Sequence, residues 1–284
     1  MDYQWYPGHM TKTVRQMQEN IKLIDLIIEI VDARIPWSSR NPELVKLGAG
    51  KTRMILFGKE DLADEKQNAL WLEKYREDGL NPYACDLRKN ASLKNFTPVI
   101  LDACREKIER DRRRGIKQRP IRAMVAGIPN VGKSTFINSF SGRASLKTGN
   151  KPGVTKGRQW IRLNSQIELL DTPGILWPKF EDQDIGKKIA LIGSIPDANT
   201  DPGELAIDLI ERLTERYPRL LTERYGVDTA DGRKPVEILT AIGEKRGSVR
   251  RGGEIDYEKA ARLLLDDFRS GRLGRITLES TDEF

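Results

Sequence analysis

Short apolar segments alternate with patterns of helical period in the first part of the chain. Leu26–Val31 is an almost continuous apolar run, and Arg53–Phe57 repeats this pattern, which is typical of strands buried on both faces of a parallel sheet. Further strands are predicted at Arg122–Ala126 and Ile167–Leu170, with one helix at Asp64–Glu77 and another from about residue 94 into the basic stretch that follows. Strands that alternate with helices predict an open, mostly parallel α/β sheet.

From about residue 180 onward, the pattern indicates helices only. They are predicted at Glu204–Tyr217, Pro235–Ile242 and Asp256–Ser270. The change of pattern places a domain boundary between residues 178 and 184. We therefore expect an α/β domain at residues 1–180, followed by a small all-helical C-terminal domain at residues 181–284.

The composition favours a cytoplasmic protein with no membrane partner. The mean hydropathy is −0.55, and no apolar run approaches the ~20 residues that a membrane helix needs. The first residues lack the basic-then-apolar pattern of a signal peptide. Cys85 and Cys104 are too few for a disulfide scaffold and lack metal-ligand spacing.

Positive charge is concentrated in one segment. The chain has a net charge of +7, and between Arg105 and Arg122 nine Lys and Arg residues stand against three acidic residues. This excess favours a polyanionic partner, specifically nucleic acid, although a solvated helix and linker is the alternative. The candidate RNA-contacting residues lie in this segment and in a second basic cluster: Arg112, Arg113, Arg114, Lys245, Arg246, Arg250 and Arg251.

Residues Gly127–Ser134 (GIPNVGKS) match the phosphate-binding loop pattern Gly-x-x-x-x-Gly-Lys-Ser/Thr. A predicted strand precedes this loop and a predicted helix follows it. Gly127 and Gly132 allow backbone N–H groups to surround a phosphate chain, and the helix N-terminus adds positive potential. Lys133 is expected to reach the outer phosphates, and the Ser134 hydroxyl is expected to ligate Mg²⁺.

The motif Asp171-Thr172-Pro173-Gly174 follows the predicted strand Ile167–Leu170 and belongs to the same chemistry. Asp171 would place a carboxylate beside Mg²⁺, and Gly174 would place an N–H group beside a γ-phosphate. A chance glycine turn would not account for both motifs. Together they predict a nucleotide-dependent switch.

The motifs stand in an unusual order. In an ordinary GTPase the phosphate-binding loop comes first, and the guanine-reading Asn/Thr-Lys-x-Asp motif comes last. Here Lys59-Glu60-Asp61 precedes the phosphate-binding loop. Reading residues 122–170 first and residues 26–85 second restores the ordinary succession, with residues 105–121 joining the original ends. The chain thus resembles a circularly permuted GTPase, and domain termini that lie close together make such a permutation tolerable.

Within that group the chain closely resembles the ribosome biogenesis GTPase A (YlqF) family along essentially its whole length. The matching segments are Trp5, Pro7–Met10, Asp32–Pro36, Ser39–Pro42, Gly127–Ser134, Lys151–Thr155, Asp171–Asp182 and Ala241–Gly247. The resemblance implies a P-loop GTPase fold with circularly permuted motif order and an RNA-binding helical domain. It further implies late assembly of the large (50S) ribosomal subunit, with binding to precursor rRNA in the GTP state and release on hydrolysis. We expect the protein to be a monomer off the ribosome.

The resemblance also implies the residues of the nucleotide site. Nucleotide contacts are expected from Gly58, Lys59, Asp61, Asp86, Leu87, Asn130, Val131, Gly132, Lys133, Ser134, Thr135 and Gly174. The Mg²⁺ ligands would be Ser134, Thr155 and Asp171, and the catalytic residues His9, Lys133 and Thr155. In related GTPases the Asn at position 130 helps to bind K⁺; a residue chosen only for turn geometry is the alternative.

Two departures from the family pattern concern the base. The family has Asn-Lys-Ala-Asp where this chain has Gly58-Lys59-Glu60-Asp61, and Asn-Ser where it has Asp86-Leu87. Asp61 is still expected to accept hydrogen bonds from guanine N1–H and N2–H₂. Restoring Asn at position 58 is expected to tighten GTP binding by about 1 kcal/mol, one net hydrogen bond. An ATPase, or an RNA-binding scaffold that no longer hydrolyses nucleotide, remains an alternative.

The chain also lacks the residue that usually orients the attacking water in GTPases. Ile175 stands where many GTPases place a Gln immediately after Asp-x-x-Gly, and its side chain cannot hydrogen-bond. His9 is the single histidine and lies in a predicted Pro-Gly-His-Met turn. Its imidazole can accept a hydrogen bond near neutral pH, and the resemblance implies that it swings toward the γ-phosphate on the ribosome. An exposed histidine on an N-terminal arm is the alternative.

Overall fold

The computed structural model describes residues 8–89, 93, 95–116, 119–142, 159–177, 180, 182–229 and 232–284; the side chains of residues 8–10, 12, 13 and 159 lie outside the described part. The described chain divides into two compact units. Of the described residues, those from Gly8 to Trp177 and Glu279–Phe284 form one unit, and those from Phe180 to Leu278 form the other. The predicted helical domain at 181–284 therefore differs from the observed unit, because the last six residues group with the sheet.

The first unit is built on a six-stranded sheet in the part of the chain that the structure describes. Its strands are β1 (Leu26–Asp32), β2 (Thr52–Gly58), β3 (Asn81–Ala84), β4 (Ile121–Ala126), β5 (Gln159–Arg162) and β6 (Ile167–Asp171). The strand order is β3-β2-β1-β4-β6-β5. All pairs are parallel except β5 with β6. The prediction of a mostly parallel α/β sheet is confirmed.

The register of the sheet confirms the permuted motif order. β4, which precedes the phosphate-binding loop, lies between β1 and β6, with Ala123 opposite Leu26 and Ile121 opposite Ile167. Parallel strands end at the same edge of a sheet. The loops after β4, β6, β1 and β2 therefore meet at one edge, although they are far apart in sequence. That edge carries the candidate site.

Helices surround the sheet in this unit. They are α1 (Gly8–Asn20), α2 (Pro42–Leu47), α3 (Glu65–Glu77), α4 (Phe96–Ala103), α5 (Arg105–Arg113) and α6 (Lys133–Ser141). Side-chain caps fix two starting points: Asn41 accepts from the Glu43 N–H at 2.9 Å, and Asp64 accepts from the Lys66 N–H at 2.8 Å. α2 also begins at a proline, which lacks the N–H that a first turn leaves unbonded.

Two helix predictions differ from the structure. The helix expected from about residue 94 into the basic segment is two helices, α4 and α5, which meet at Cys104. The predicted turn around His9 is instead the first turn of α1, because that helix begins at Gly8. Periodicity could not reveal the break at Cys104, since the apolar pattern of α4 passes directly into the charged pattern of α5.

The apolar runs are buried as their pattern predicts. Every residue of β1 is buried, and one cluster on the sheet comprises Val31, Ala33, Ile55, Phe57, Ala63, Trp71 and Tyr75. Two carboxylates are buried in β1, Glu29 and Asp32; Glu29 is 1% exposed and accepts from Arg53 Nη2 at 3.1 Å. A buried carboxylate requires such a partner, because an isolated charge in the interior is costly.

The second unit is helical in its described residues. Its helices are α7 (Gln183–Leu191), α8 (Pro202–Arg216), α9 (Leu220–Tyr225), α10 (Pro235–Lys245) and α11 (Tyr257–Arg269). Asp267 on α11 is 3% exposed and accepts from Arg224 Nε at 2.8 Å and from the Tyr225 hydroxyl at 3.0 Å, which ties α9 to α11. Among the helices of the described chain, none is long and apolar enough to cross a membrane.

Segment Glu279–Phe284 packs against the loop after β1 and against α3, within the first unit. The Glu279 carboxylate is fully buried and accepts from the Trp37 N–H at 2.8 Å, from the Ser38 N–H at 3.2 Å and from the Ser38 hydroxyl. Its carbonyl accepts from Trp71 Nε1 at 3.3 Å, and the Phe284 ring stacks on Trp37 with centroids 4.9 Å apart. One buried carboxylate thus holds the loop after β1 in place.

We expect Glu279→Gln to lower the free energy of unfolding by about 2 kcal/mol, because the three donors of Trp37 and Ser38 would then share one neutral oxygen instead of the two oxygens of a charged carboxylate. Thermal and urea unfolding measure the loss. The control is Glu73→Gln, which removes an exposed carboxylate of the same unit paired with Arg76 at 2.7 Å and should change stability by less than about 1 kcal/mol. Equal effects of the two substitutions would contradict the role given to Glu279.

Candidate nucleotide-binding site

The loop between β4 and α6 has the backbone geometry of a phosphate cradle. Gly127 has φ of 148° and Gly132 has φ of 105°, values that residues with a Cβ atom rarely adopt. A Cβ atom on Gly127 would lie 2.4 Å from the carbonyl oxygen of Ile30 in β1. Gly127 is therefore required both by its backbone angle and by the nearness of β1. Gly132 is required by its backbone angle alone.

Asn130 lies in the same loop with φ of 63°, in the left-handed region. Asn adopts this region more readily than other residues with a side chain. Turn geometry therefore accounts for an Asn at this position without an ion. The K⁺ role of Asn130 stays a prediction.

Lys133 is the first residue of α6 and is 7% exposed. Its ammonium group donates to the carbonyl oxygen of Ile128 at 2.8 Å and to that of Gly127 at 3.2 Å. Burial lowers the pKa of Lys133, and the nearby Asp171 carboxylate acts in the opposite direction. The lysine thus lies folded onto its own loop, with a buried carboxylate close enough to affect its charge.

The segment after β6 lies directly on this loop. The Thr172 hydroxyl donates to the Val125 carbonyl oxygen at 2.7 Å, and the Ile175 N–H donates to the Gly127 carbonyl oxygen at 3.3 Å. A Cβ atom on Gly174 would lie 2.8 Å from Lys133 Nζ and 2.8 Å from Pro129 Cα. The structure therefore brings together the two motifs that the sequence assigns to phosphate and Mg²⁺. Only glycine fits at position 174, where the two motifs meet.

Asn41 links the loop after β1 to the segment after β6, a role that the sequence did not reveal. Asn41 is fully buried, and its Nδ2 donates to the Ile175 carbonyl oxygen at 3.0 Å. Its own N–H donates to Glu29 Oε1 at 2.9 Å. The motif Ser39–Pro42, which the resemblance identified without a function, thus anchors the residue that follows Asp-x-x-Gly.

On the base side of the site, Lys59 joins the loop after β2 to the end of β1. Its ammonium group lies 3.1 Å from Asp32 Oδ2, and Arg34 donates to the same carboxylate through Nε at 2.9 Å and Nη2 at 2.8 Å. Burial opposes ionisation of Asp32, but Arg34 and Lys59 outweigh it and hold the pKa of Asp32 well below its usual value. Lys59 also has φ of 55°, so its backbone is held in a rarely occupied conformation.

Gly58 lies against the phosphate-binding loop without room for a side chain. A Cβ atom on Gly58 would lie 2.4 Å from the Val131 carbonyl oxygen, although the φ of Gly58 is not positive. Leu87 Cδ1 would lie 3.2 Å from that Cβ atom and 3.2 Å from one on Gly132. Leu87 therefore fills the space between the two loops by apolar packing. These contacts argue against the expectation that Asn at position 58 would tighten GTP binding, because a side chain there would meet the Val131 carbonyl oxygen.

Asp61 and Asp86 are bridged by Arg88, a residue that the sequence did not single out. Arg88 Nη2 lies 2.7 Å from Asp61 Oδ2, and Arg88 Nε lies 3.1 Å from Asp86 Oδ1. Burial opposes ionisation of Asp86, but the hydrogen bonds and charge of Arg88 outweigh it and lower the pKa of Asp86. A basic residue two positions after the Asp that replaces the usual Asn was the available signal.

Other predicted residues lie elsewhere or outside the described part of the chain. Ser134 and Thr135 lie in the first turn of α6 beside Lys133. Thr155 lies outside the described residues, and the side chain of His9 does so as well, although its backbone belongs to α1. The candidate RNA residues Arg112, Arg113 and Arg114 are exposed at the end of α5, whereas Lys245, Arg246, Arg250 and Arg251 are exposed in the second unit.

We expect Gly58→Asn to weaken GTP binding at a cost of about 1–3 kcal/mol, because the new side chain must displace the Val131 carbonyl oxygen or the β2 end. Titration with a fluorescent GTP analogue measures the dissociation constant. The control is Gly79→Asn, at a glycine with φ of 72° where an added Cβ atom would have no other atom within 4 Å, so that Asn is tolerated. Tighter binding by the Gly58 variant would contradict the steric argument.

Comparisons with known proteins agree with this geometry. The family model described as a 50S ribosome-binding GTPase matches residues 122–218. Ribosome biogenesis GTPase A of Priestia megaterium is 43% identical, with 100% of this chain and 98% of the relative covered. The Thermotoga maritima protein of the same name is 30% identical, with 98% and 95% covered.

Solved structures give the same result. The crystal structure of GNP-bound YlqF from T. maritima has a TM-score of 0.64 at 26% identity and covers 95% of this chain and 98% of that one. The GDP-bound structure of the same protein has a TM-score of 0.63 and covers 94% and 100%. Since the identity to curated relatives extends over the whole length, the chain belongs to the ribosome biogenesis GTPase A family of GTP hydrolases.

Proposed function

We propose that this GTPase binds GTP with Mg²⁺, acts as a late assembly factor on the precursor of the large ribosomal subunit, and leaves it after hydrolysis. The observation that carries the proposal is the contact of Gly174 with the phosphate-binding loop, where a Cβ atom would lie 2.8 Å from Lys133 Nζ. A γ-phosphate bound by Lys133 would therefore be sensed directly by the segment after β6. That arrangement supports a switch that responds to hydrolysis.

The donor set fits Mg²⁺ rather than a softer metal. Ser134 offers a hydroxyl and Asp171 a carboxylate, both hard oxygen donors, and Mg²⁺ commonly takes one or two protein ligands together with phosphate oxygens. When bound, the ion would neutralise charge on the β- and γ-phosphates. Thr155 would complete the protein ligands, and K⁺ at Asn130 is a further expectation for the same phosphates.

Lys133 and the segment after β6 would perform the charge stabilisation. The lysine ammonium group donates to two carbonyl oxygens of its own loop, and phosphate oxygens are stronger acceptors because they are charged. Binding of GTP would therefore redirect Lys133 to the outer phosphates. Ile175 cannot orient water: its side chain is apolar and fully buried. We assign the orientation of the attacking water to His9.

Residues of the nucleotide site argue against the two alternatives, a scaffold that does not hydrolyse nucleotide and an ATPase. A scaffold without hydrolysis would not need a buried lysine and a buried aspartate side by side, yet Lys133 and Asp171 are both buried. An ATPase would not need a carboxylate at Asp61. Two buried free cysteines, Cys85 and Cys104, accord with a cytoplasmic location.

The proposed rRNA contacts centre on the end of α5. Lys107, Arg119 and Arg122 of the basic segment form ion pairs with Asp25, Asp111 and Glu168 at 2.8–3.5 Å, so they contribute to the fold. Arg112, Arg113 and Arg114 are exposed together. The part of the segment that can meet phosphates is therefore smaller than its net charge implies.

We expect Arg112→Glu, Arg113→Glu and Arg114→Glu together to weaken association with the large subunit while GTP binding is unchanged. Wild-type association should fall by ~0.9 in log K per duplex phosphate neutralised for each tenfold rise in salt. Co-sedimentation at 50 and 200 mM salt measures both. The control carries the same charge change on α3, as Lys66→Glu, Lys74→Glu and Arg76→Glu. Equal loss in both triple variants would indicate a general effect of net charge.

We expect low intrinsic hydrolysis, strong stimulation by the large subunit, and loss of that stimulation in His9→Ala. Removal of a general base or water-positioning group costs on the order of 10²-fold or more in rate. Single-turnover GTP hydrolysis with and without the large subunit measures the effect, and nucleotide titration serves as the control for binding. Normal stimulation of His9→Ala would assign the water to another group, such as one in ribosomal RNA.

A further inference from the structure

The loop after β3 has Asp86-Leu87 in place of the usual Asn-Ser of the family, and the basic residues Arg88 and Lys89 follow directly. Asp86 is nearly buried, its side chain 6% exposed, and it accepts from the Arg88 N–H at 3.0 Å and from Arg88 Nε at 3.1 Å. Lys89 Nζ lies 3.4 Å from the other oxygen of Asp86. The buried aspartate therefore fixes the arginine through its backbone and its side chain together.

The outer end of the same guanidinium holds Asp61. Arg88 Nη2 lies 2.7 Å from Asp61 Oδ2 and 3.3 Å from Asp86 Oδ2, so one nitrogen serves both carboxylates. Arginine is suited to this task because its donors form a planar, rigid fork. The orientation of Asp61 is thus set from β3, through Asp86 and Arg88.

The contact leaves capacity on Asp61 for a base. A carboxylate has two oxygens and about four lone-pair positions, and Arg88 uses one position on Oδ2. Guanine requires one acceptor for N1–H and one for N2–H₂. Arg88 and guanine can therefore bind Asp61 at the same time, provided that the carboxylate holds its plane.

The described residues at positions 58 and 87, on the base side of the site, do little to fix the plane of the Asp61 carboxylate. At position 58 the chain has a glycine without room for a side chain, so the Asn that normally supports this region cannot act. Leu87 fills the space by apolar contact only. An exposed ion pair contributes little to stability, and Arg88 is 65% exposed. Its significance lies in orientation.

We propose that Arg88 is a positioning residue for guanine recognition, which holds the Asp61 carboxylate in the plane that accepts from both N1–H and the 2-amino group. The inference rests on the proposed role of Asp61 as the guanine acceptor. It predicts that Arg88 affects discrimination at the 2-amino group, not merely affinity. Inosine nucleotides lack that amino group and report it directly.

The experiment compares dissociation constants of GDP and IDP for the full chain. Wild type should prefer GDP by at least roughly tenfold, the value of one hydrogen bond to a charged group. Arg88→Ala should reduce this preference to within about threefold, mainly through weaker GDP binding. Arg88→Lys should behave like Arg88→Ala, because lysine keeps the charge but not the fork. The control is Arg76→Ala, at an arginine of similar exposure with an ion pair of 2.7 Å, which should keep the full preference.

Three outcomes would overturn the proposal. A full preference in Arg88→Ala, or a wild-type preference in Arg88→Lys, would show that the fork does not set Asp61. Tighter GDP binding in Arg88→Ala would show that Arg88 competes with the base. Asp61→Ala separates these outcomes from a failure of the underlying assignment: if it keeps the preference of wild type, Asp61 is not the guanine acceptor.

Discussion

Close approach of bare backbone at one edge of the sheet is the constraint on which the site depends. Gly127 lies against the carbonyl oxygen of Ile30, Gly58 against that of Val131, and Gly174 against Pro129. A methyl group at any of these positions would meet backbone atoms at 2.4–2.8 Å. Backbone cannot yield as a flexible side chain can, so β1, the end of β2 and the loops after β4 and β6 share one fixed arrangement. The contacts depend on where the strands lie in the sheet, and the order in which the chain visits them is immaterial.

Around this backbone contact, polar side chains connect loops that carry different tasks. Asn41 ties the loop after β1 to the Ile175 carbonyl, and Asp32 ties it to Lys59. The loop after β1 therefore touches both the phosphate side and the base side of the site. Because its polar groups are buried, removing one would leave the others without compensation. The motifs Asp32–Pro36 and Ser39–Pro42, which the family pattern contains without an assigned function, thus have a structural role: they connect the loops of the site.

The sequence predicted the sheet, its permuted order and the phosphate-binding loop because each depends on local pattern: apolar runs, glycine spacing and a lysine before a helix. It failed where the answer lies in the space between distant segments. Gly58 looked like a lost Asn, although the Val131 carbonyl excludes a side chain there. Arg88 looked like one charge among many, although it joins two carboxylates. The grouping of Glu279 with the sheet depends on contacts more than 200 residues away in sequence.

The return of Glu279–Phe284 to the first unit changes the topological status of the helical unit. A stretch of chain whose two ends both continue into the same domain is an insertion, and an insertion is joined to that domain at two points instead of one. The first unit must therefore close a long loop before Glu279 reaches its partners, at an entropic cost that grows only slowly with the length of that loop. An isolated GTPase domain would accordingly be obtained by deleting residues 180–278 and joining the flanking ends. Truncation at residue 179 would instead remove Glu279, which holds the loop after β1 in place.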